Sequence, residues 1–291
     1  MNRVLEKKQL AEEVFEIKVQ APQIAAARQP GQFVILQLHE DFGERIPLTI
    51  ADADARAGWI LLVFQTVGKT THELAELTPG DSIPHLLGPL GRATHIERFG
   101  TVVCVGGGIG VAPLHPIAQA LKQAGNRLIV IVGSRTRALL VLEDRMRRLA
   151  DEWILCTDDG SGGRKALVTE PLQEVCQRSP KPDLVVAIGP PVMMKFCAET
   201  TRPFAVPTMV SLNTIMVDGT GMCGGCRVTV GGQTRFVCVD GPEFDGHQVD
   251  FDNMMQRLTA YREHEQAAHK QCHLEQEIER RTAADKDRAN L

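Results

Sequence analysis

The stretch Thr101-Val-Val-Cys-Val-Gly-Gly-Gly-Ile-Gly-Val-Ala-Pro113 decides the fold of much of this chain. Its first five residues form an apolar run of the kind that makes a buried β-strand, and the glycines after it permit a tight turn. A helical pattern over 113–124 follows. Strand, glycine-rich turn and helix in this order are typical of a parallel α/β sheet.

The same alternation continues towards the C-terminus. We predict further strands at 127–132, 153–157 and 183–188, and helices at 142–150 and 167–177. Strands that alternate with helices predict a parallel α/β domain over residues 98–209.

The N-terminal part, residues 1–97, has a different pattern. Short apolar or alternating runs at 14–19, 32–38 and 59–64 are separated by Pro-Gly and Gly-Pro turns. Many short strands with such turns predict an antiparallel β-barrel. We expect residues 45–49 to end one of its strands and residues 73–77 to form one short helix.

Residues 210–252 are irregular and rich in glycine, with a predicted hairpin of 226–230 and 234–238. They contain Asp218, Cys223, Cys226 and Cys238 in the pattern D-x4-C-x2-C-x11-C. Plant-type [2Fe–2S] ferredoxins use a C-x4-C-x2-C run with a more distant fourth Cys. The glycines would let backbone N–H groups approach the cluster sulfurs. We therefore predict a small [2Fe–2S] domain with Asp in place of the first Cys.

A structural zinc site is the alternative, because C-x2-C is also half of a zinc motif. Zinc sites usually add a second C-x2-C or a His pair, and neither follows here. On that alternative the chain would be a non-catalytic zinc-binding adaptor.

The polar tail, residues 253–291, contains no Gly or Pro and is predicted to be helical. His264, His269, Cys272 and His273 lie close together in it, and the last three share a helical face. We favour a solvated or partner-facing helix there over a metal site.

Composition excludes several classes of protein. The chain has 291 residues, 43% of them apolar, and a net charge of −4 without a basic stripe, which argues against a nucleic-acid partner. It has no run of about 18 apolar residues and no apolar leader, so we expect no membrane span and no secretion signal. Eight cysteines then indicate reduced thiols or metal ligands in a cytoplasmic protein. Four of them, Cys104, Cys156, Cys176 and Cys197, are expected to be small buried hydrophobic residues.

Backbone N–H groups at a helix N-terminus bind phosphates, so the loop 106–113 predicts a pyrophosphate site. Its spacing is not G-x-G-x-x-G. The loops 133–136, 157–161 and 189–194 follow predicted strands, where open α/β sheets bind ligands. In the barrel, 67–71 precedes the short helix and could hold another phosphate, or Thr70 or Thr71 could simply cap that helix.

The order of barrel, glycine-rich α/β domain and Cys-rich loop resembles the ferredoxin–NADP reductase superfamily, in particular its branch with a C-terminal [2Fe–2S] domain. The most similar segments are 44–51, 105–113 and 212–226. The resemblance implies that the chain binds FAD, NAD(H) and a [2Fe–2S] cluster. NADP(H) is an open alternative because Arg135 could hold a 2′-phosphate.

The resemblance also assigns roles to residues. In the superfamily's flavin motif, R-x-[aromatic/apolar]-[ST], a hydroxyl faces flavin N5, and Thr49 matches it as the catalytic position. Ile46 occupies the Arg position, and Arg45 comes one residue early. The implied flavin-binding residues are Arg45, Pro47, Leu48, Thr49, Val63, Phe64, Gln65, Gly68, Thr70 and Thr71. The implied nicotinamide-nucleotide residues are Gly106, Gly107, Gly108, Ile109, Gly110, Ala112, Pro113, Ser134, Arg135, Asp158, Asp159, Gly189, Pro190 and Met193. The implied cluster ligands are Asp218, Cys223, Cys226 and Cys238.

Within the branch, subunits of the dihydroorotate dehydrogenase type have Cys as the first cluster ligand. Asp218 stands there in this chain, as it does in the electron-bifurcating NADH-dependent ferredoxin:NADP oxidoreductases. The resemblance therefore implies an electron-transfer subunit that serves a larger flavin and iron–sulfur partner and reaches ferredoxin through that complex. An electron-transfer subunit of a dihydroorotate dehydrogenase, or of a sulfide dehydrogenase, is the alternative.

Overall fold

In a computed structural model, which describes residues 2–41, 43–260, 262–264 and 267, the N-terminal part is an antiparallel barrel. Its strands are β1 (Asn2–Ala11), β2 (Val14–Gln20), β3 (Phe33–Gln37), β4 (Ile46–Asp54), β5 (Trp59–Gln65), β6 (Ser82–Ile83) and β7 (His85–Leu90). They form one sheet in the order β6-β1-β2-β5-β4-β3-β7. The two edge strands, β6 and β7, follow each other in the chain with only Pro84 between them, so the chain itself joins the sheet edges.

Alternating side chains fill the barrel. Ile17, Ile60, Leu62 and Phe64 are almost fully buried in one cluster, and Phe64 stacks on Phe15 with ring centroids 5.9 Å apart. The predicted strands and the short helix are confirmed, the latter as α2 (Lys69–Glu76), but α1 (Pro22–Ala27) and β1 were not predicted. β1 is mostly charged or exposed and so lacks an apolar pattern.

The second sheet contains strands β8 (Thr101–Gly107), β9 (Arg127–Ser134), β10 (Glu152–Thr157), β11 (Arg164–Lys165), β12 (Leu184–Ile188), β13 (Thr208–Ser211) and β16 (Glu243–Asp245). Their order is β11-β10-β9-β8-β12-β13-β16, and all are parallel except β16. The predicted α/β domain is thus confirmed. Its helices are α3 (Val111–Gln123), α4 (Glu143–Leu149), α5 (Thr169–Cys176) and α6 (Pro191–Thr201). As expected, Cys104, Cys156, Cys176 and Cys197 are buried.

The C-terminal segment holds a hairpin of β14 (Arg227–Val230) and β15 (Gln233–Phe236), followed by α7 (Val237–Asp240) and α8 (Phe251–Leu258). The hairpin prediction was wrong at its end, because Cys238 lies on the single helical turn α7 and not on a strand. Strand β16, from the same segment, pairs with β13 at the edge of the α/β sheet. The domain boundaries at 97, 209 and 252 stay predictions. Of the tail, α8 and residues 262–264 are helical, whereas His269, Cys272 and His273 lie outside the described residues.

The barrel packs against helix α3 through apolar side chains. Val14, Ala51 and Val63 belong to the same buried cluster as Leu114 and Ala118 of α3. An ion pair of 2.8 Å between Arg145 of α4 and Glu16 of β2 lies at the same boundary. These contacts place strands β4 and β5 beside the glycine-rich loop. Among the residues that the structure describes, no helix has the length and apolar character needed to cross a bilayer.

Candidate functional site

The parallel register brings the predicted nucleotide-binding loops to one edge of the sheet. Gly107 pairs with Gly133, Ser134 pairs with Thr157, and Gly106 pairs with Ile188. The loops after β8, β9, β10 and β12 therefore begin side by side at the carboxyl ends of their strands. This is the edge where open α/β sheets bind their ligands.

The glycines of the loop after β8 have different roles. A Cβ on Gly106 would lie 2.9 Å from Cγ2 of Val111, and one on Gly107 or Gly110 would collide with Met193 or with the backbone at Ile188. These three glycines allow close packing of strand, helix and neighbouring loop. Gly108 differs, because its φ is +54° and a Cβ there would meet nothing within 4 Å. It leaves an open, backbone-lined cradle in front of helix α3, which suits a pyrophosphate.

The loops beside this cradle are ordered by their own hydrogen bonds. The backbone N–H groups of Asp158 and Asp159 donate to the carbonyls of Ser134 and Arg135, at 3.1 and 3.2 Å. The Asp159 carboxylate accepts hydrogen bonds from the hydroxyl and the backbone N–H of Ser161, which lower the pKa of Asp159. Asp159 thus holds its own turn together, while Arg135 and Asp158 are exposed beside the cradle.

The predicted flavin motif lies on β4, but at its start. Our expectation that residues 45–49 end a strand was wrong: β4 begins at Ile46 and continues to Asp54. Thr49 is half-buried opposite Phe33 of β3, and Pro47 lies opposite Ile35. Arg45 donates from Nε to the side-chain oxygen of Gln37 at 3.0 Å.

The next strand, β5, presents its three predicted residues to opposite sides. Val63 packs towards α3, whereas Phe64 is only 2% exposed and faces the barrel core. Leu48, on the neighbouring strand β4, is half-buried. Gln65, the last residue of β5, borders the loop before α2. Because the Phe64 side chain points inward, contacts from this position to a bound flavin would come from its backbone.

The loop 67–71, predicted to hold a phosphate, forms a turn in front of helix α2. A Cβ on Gly68 would meet nothing within 4 Å, so the turn is open. The hydroxyl of Thr70 donates to a carboxylate oxygen of Glu44 at 2.6 Å, so a phosphate bound here would have to replace that carboxylate. The hydroxyl of Thr71 accepts from the N–H groups of Val67 and Gly68, both at 3.0 Å. Gly68 is the N-cap residue of helix α2, so the expectation that Thr70 or Thr71 could be the N-cap was wrong; Thr71 instead stabilises the start of the helix from its third position.

The four predicted cluster ligands share one loop and the helix after the hairpin. The sulfurs of Cys226 and Cys238 are 3.2 Å apart and buried, and Cys223 is exposed. The Asp218 carboxylate accepts from the N–H groups of Thr220 and Cys223 at 2.9 and 2.8 Å. In the described part of the chain, no three such groups converge as they would around a single metal ion. Three thiols and a carboxylate in a glycine-rich loop nevertheless suit an iron–sulfur cluster as a donor set.

The pKa values of Asp218 and Cys238 are shifted in opposite directions. The backbone N–H of Thr220, and after it that of Cys223, lowers the pKa of Asp218, so its carboxylate is charged. Burial, with the neighbouring Cys226 sulfur, raises the pKa of Cys238 to about 12. A bound metal deprotonates such thiols by its own charge.

The loop with Asp218 packs directly on the barrel. A Cβ on Gly219 would lie 2.6 Å from Cδ1 of Ile35 and 2.7 Å from Cδ1 of Leu90. Ile35 in turn pairs with Pro47, two residues before Thr49. The predicted flavin strand and the predicted cluster loop are therefore separated by one strand, β3.

Sequence reasoning missed the residues that join the barrel to helix α7. Arg92, just after β7, donates from its backbone N–H to Gly241 at 2.6 Å and from Nε to the Val239 carbonyl at 3.1 Å. Thr94 donates to Glu243 at 2.6 Å. Arg92 and Thr94 lie nearly 150 residues from these partners in the chain, so no local sequence motif could have predicted the contacts.

Comparison with known proteins shows which family the chain resembles. Residues 213–250 match the family model of the iron–sulfur cluster binding domain of dihydroorotate dehydrogenase B. A homologue of the dihydroorotate dehydrogenase B (NAD(+)) electron transfer subunit from Thermotoga maritima is 49% identical over 92% of this chain and 94% of its own. The electron transfer subunit from Geobacillus thermodenitrificans is 32% identical, covering 84% and 96%.

Two solved structures have folds similar to that of this chain. One from a study of flavin-based electron bifurcation, a structure of NADH-dependent reduced ferredoxin-NADP oxidoreductase, has a TM-score of 0.88 and 47% identity, covering 93% of this chain and 97% of that one. The ferredoxin reductase in carbazole 1,9a-dioxygenase has a TM-score of 0.58 and 20% identity, covering 71% and 65%, which shows the fold alone.

Fold and site define an electron-transfer oxidoreductase subunit that has the ferredoxin-reductase architecture and a C-terminal iron–sulfur domain. The chain belongs to the family of dihydroorotate dehydrogenase B electron transfer subunits and their homologues.

Proposed function

We propose that this chain binds FAD, NAD(H) and one [2Fe–2S] cluster, and that it passes electrons between them and a larger flavin and iron–sulfur partner in flavin-based electron bifurcation. When bound, FAD would supply the chemistry that links hydride transfer from NADH to single-electron transfer towards the cluster. The partner, ferredoxin as an acceptor reached through the complex, and the cytoplasmic location are parts of the same proposal.

The observation that carries the proposal is the packing of the cluster loop on the barrel. Gly219 contacts Ile35 and Leu90, and Ile35 pairs with Pro47 on the strand that bears Thr49. On the other side, the turn at 108–110 lies against β5. Three predicted sites thus surround one group of strands, as a path from nucleotide to flavin to cluster requires.

The residues of this chain act by binding and orientation. The open backbone at Gly108 would hold the pyrophosphate of NADH, and the turn at Gly68 with Thr70 would hold that of FAD. Thr49 would donate or accept a hydrogen bond at the edge of the flavin ring. Cys223, Cys226 and Cys238, with Asp218, would bind the cluster. No general acid or base is required for this chemistry, and we assign none.

The direct test is cofactor analysis of the full chain purified without oxygen. We expect about one FAD, two iron atoms and two labile sulfides per chain, and flavin absorbance that bleaches when NADH is added. One zinc per chain without labile sulfide would instead support the zinc-binding adaptor and end the proposal.

The role of a dihydroorotate dehydrogenase electron transfer subunit is the second candidate, because relatives carry that name. Asp218 at the first ligand position favours the bifurcating role, as does the 47% identity to the oxidoreductase structure. Purifying the native complex and identifying its large subunit decides between them. A dihydroorotate-oxidising partner would overturn our choice and leave the cofactor assignment intact.

Asp218 itself is tested by Asp218→Cys. A carboxylate donates less electron density to iron than a thiolate does, so we expect the variant cluster to have a lower reduction potential and an altered EPR spectrum. Cys223→Ser serves as the matched comparison at a thiolate position. A variant of Asp218 whose spectrum and potential equal those of the wild type would show that Asp218 is no ligand.

A further inference from the structure

Arg92 connects the barrel with the helix that carries Cys238. It stands two residues after β7 ends, in the segment that leads from the barrel to the α/β domain. Its backbone N–H donates to the Gly241 carbonyl at 2.6 Å, and its Nε donates to the Val239 carbonyl at 3.1 Å. The Val239 carbonyl belongs to the last turn of α7, where a cationic side chain stabilises a helix, and Gly241 is the residue directly after the helix.

A carboxylate completes this arrangement. Asp240 pairs with Nη2 of Arg92 at 3.5 Å and accepts the backbone N–H of Phe236 at 2.8 Å. Asp240 therefore links the start of α7 to its end, and Arg92 fixes both to the barrel. Helix α7 has only four residues and could not persist without such partners.

The position of α7 determines the position of Cys238. The sulfur of Cys238 lies 3.2 Å from that of Cys226, and the side chain is 1% exposed. Gly91, the residue before Arg92, packs between Phe33 of the barrel and Pro242 after α7. The same short segment therefore contacts the barrel on one side and the Cys238 helix on the other.

We propose that Arg92 is a positioning residue that holds the Cys238 helix on the barrel and raises the reduction potential of the cluster through its positive charge. The proposal rests on the proposed function, in that it assumes the cluster bound by Cys238. A cluster that gains an electron becomes more negative, so a cation favours its reduced form, and removal of Arg92 would also leave its ion-pair partner Asp240 as an uncompensated negative charge. The Arg92 side chain is 70% exposed where it meets Asp240, so solvent weakens this effect and salt should weaken it further.

The test compares Arg92→Gln, Arg92→Lys and the wild type in the full chain with its cofactors. EPR-monitored redox titration measures the cluster potential at low and high salt. We expect Arg92→Gln to shift the reduced-to-oxidised ratio of the cluster about threefold towards oxidised, which is about 28 mV for a one-electron couple, and less at 0.5 M salt. Arg92→Lys should restore most of the potential, yet broaden the EPR signal, because lysine cannot reproduce the Nε hydrogen bond.

Arg98→Gln is the matched control, since Arg98 lies in the same linker but beside Gly125. It should leave the potential and the EPR line shape unchanged. An Arg92→Gln cluster with wild-type potential and line shape at low salt would overturn the proposal. If Arg92→Gln is too unstable to titrate, an Arg92→Lys spectrum identical to the wild type would overturn it equally. A wild-type chain that holds no iron or sulfide would instead refute the proposed function.

Discussion

At the scale of single residues, the glycine-rich loop contains one glycine, Gly108, that packing does not explain. Gly106, Gly107 and Gly110 are needed for packing, whereas Gly108 faces open space with a positive φ. We expect Gly108→Ala to weaken NADH binding about tenfold or more, because its methyl group would enter the cradle. The substitution should leave flavin content unchanged. NADH titration of the flavin absorbance measures the effect.

The control is Gly125→Ala, at a glycine with φ of +85° in the turn after α3. Both substitutions carry the cost of a left-handed conformation, about 1–2 kcal/mol. Only the first lies in the predicted nucleotide site. Equal losses of NADH affinity in the two variants would mean that Gly108 acts through stability alone.

Glu243 gives a second prediction at this scale. Burial raises the pKa of Glu243 from 4.5 to about 7, although Thr94 donates a hydrogen bond to it. The folded chain then binds more protons than the unfolded chain, so this group stabilises the fold at low pH and the contribution is lost as pH rises from about 4.5 to 7. Glu243→Gln should therefore be more stable than the wild type at pH 8, by about 1 kcal/mol or more.

Urea unfolding at pH 5 and pH 8 measures this difference. Asp245→Asn, at an exposed carboxylate on the same strand, is the matched control. A Glu243→Gln variant whose stability relative to the wild type is the same at both pH values would contradict the assignment.

At the scale of elements, strands β8, β9, β10 and β12 and helices α3, α4 and α5 could be predicted because each has an apolar pattern of its own. Other elements depend on contacts that the local sequence does not contain. Helix α6 begins at Pro190-Pro191, which reads as a loop, although proline is tolerated in a first helical turn. Helix α7 contains Val237 and Val239, which favour a strand, and it depends on Arg92. Phe64 shows the same limit, since the resemblance could not tell which face its side chain occupies.

Helix α3 gives a prediction at this scale, because its two ends meet different parts of the molecule. Leu114 and Leu121 are both fully buried, but Leu114 packs beside Gly106 at the loop. Truncation of either to Ala should cost about 2–5 kcal/mol of unfolding free energy. Only Leu114→Ala should also weaken NADH binding, because it loosens the end of the helix that borders the predicted nucleotide site. If Leu121→Ala weakens NADH binding equally, the loop does not depend on local packing.

At the scale of the whole molecule, the three predicted sites follow one another along the chain as barrel, glycine-rich loop and Cys-rich loop. This order could be predicted from the sequence. The mutual distances of the sites could not, because they depend on pairings such as Ile35 with Pro47 and on the contact of Gly219 with the barrel. The ligand set is a related case. The spacing predicts Asp218 and the three cysteines as ligands, whereas the 3.2 Å approach of Cys226 to Cys238 comes from α7.

The last prediction concerns what this chain can do without its partner. Bifurcation sends two electrons from one flavin to acceptors of different potential, and the sequence carries one cluster motif and one predicted flavin site. We therefore expect the purified chain to oxidise NADH with an artificial one-electron acceptor such as ferricyanide, but not to reduce ferredoxin. Addition of the large subunit from the native complex should restore NADH-dependent ferredoxin chemistry. Anaerobic absorbance spectroscopy follows both reactions, and Gly108→Ala, which should slow NADH oxidation in either preparation, serves as the control. Ferredoxin reduction by the pure chain with NADH alone would show that its cofactors suffice, and that the larger subunit has another role.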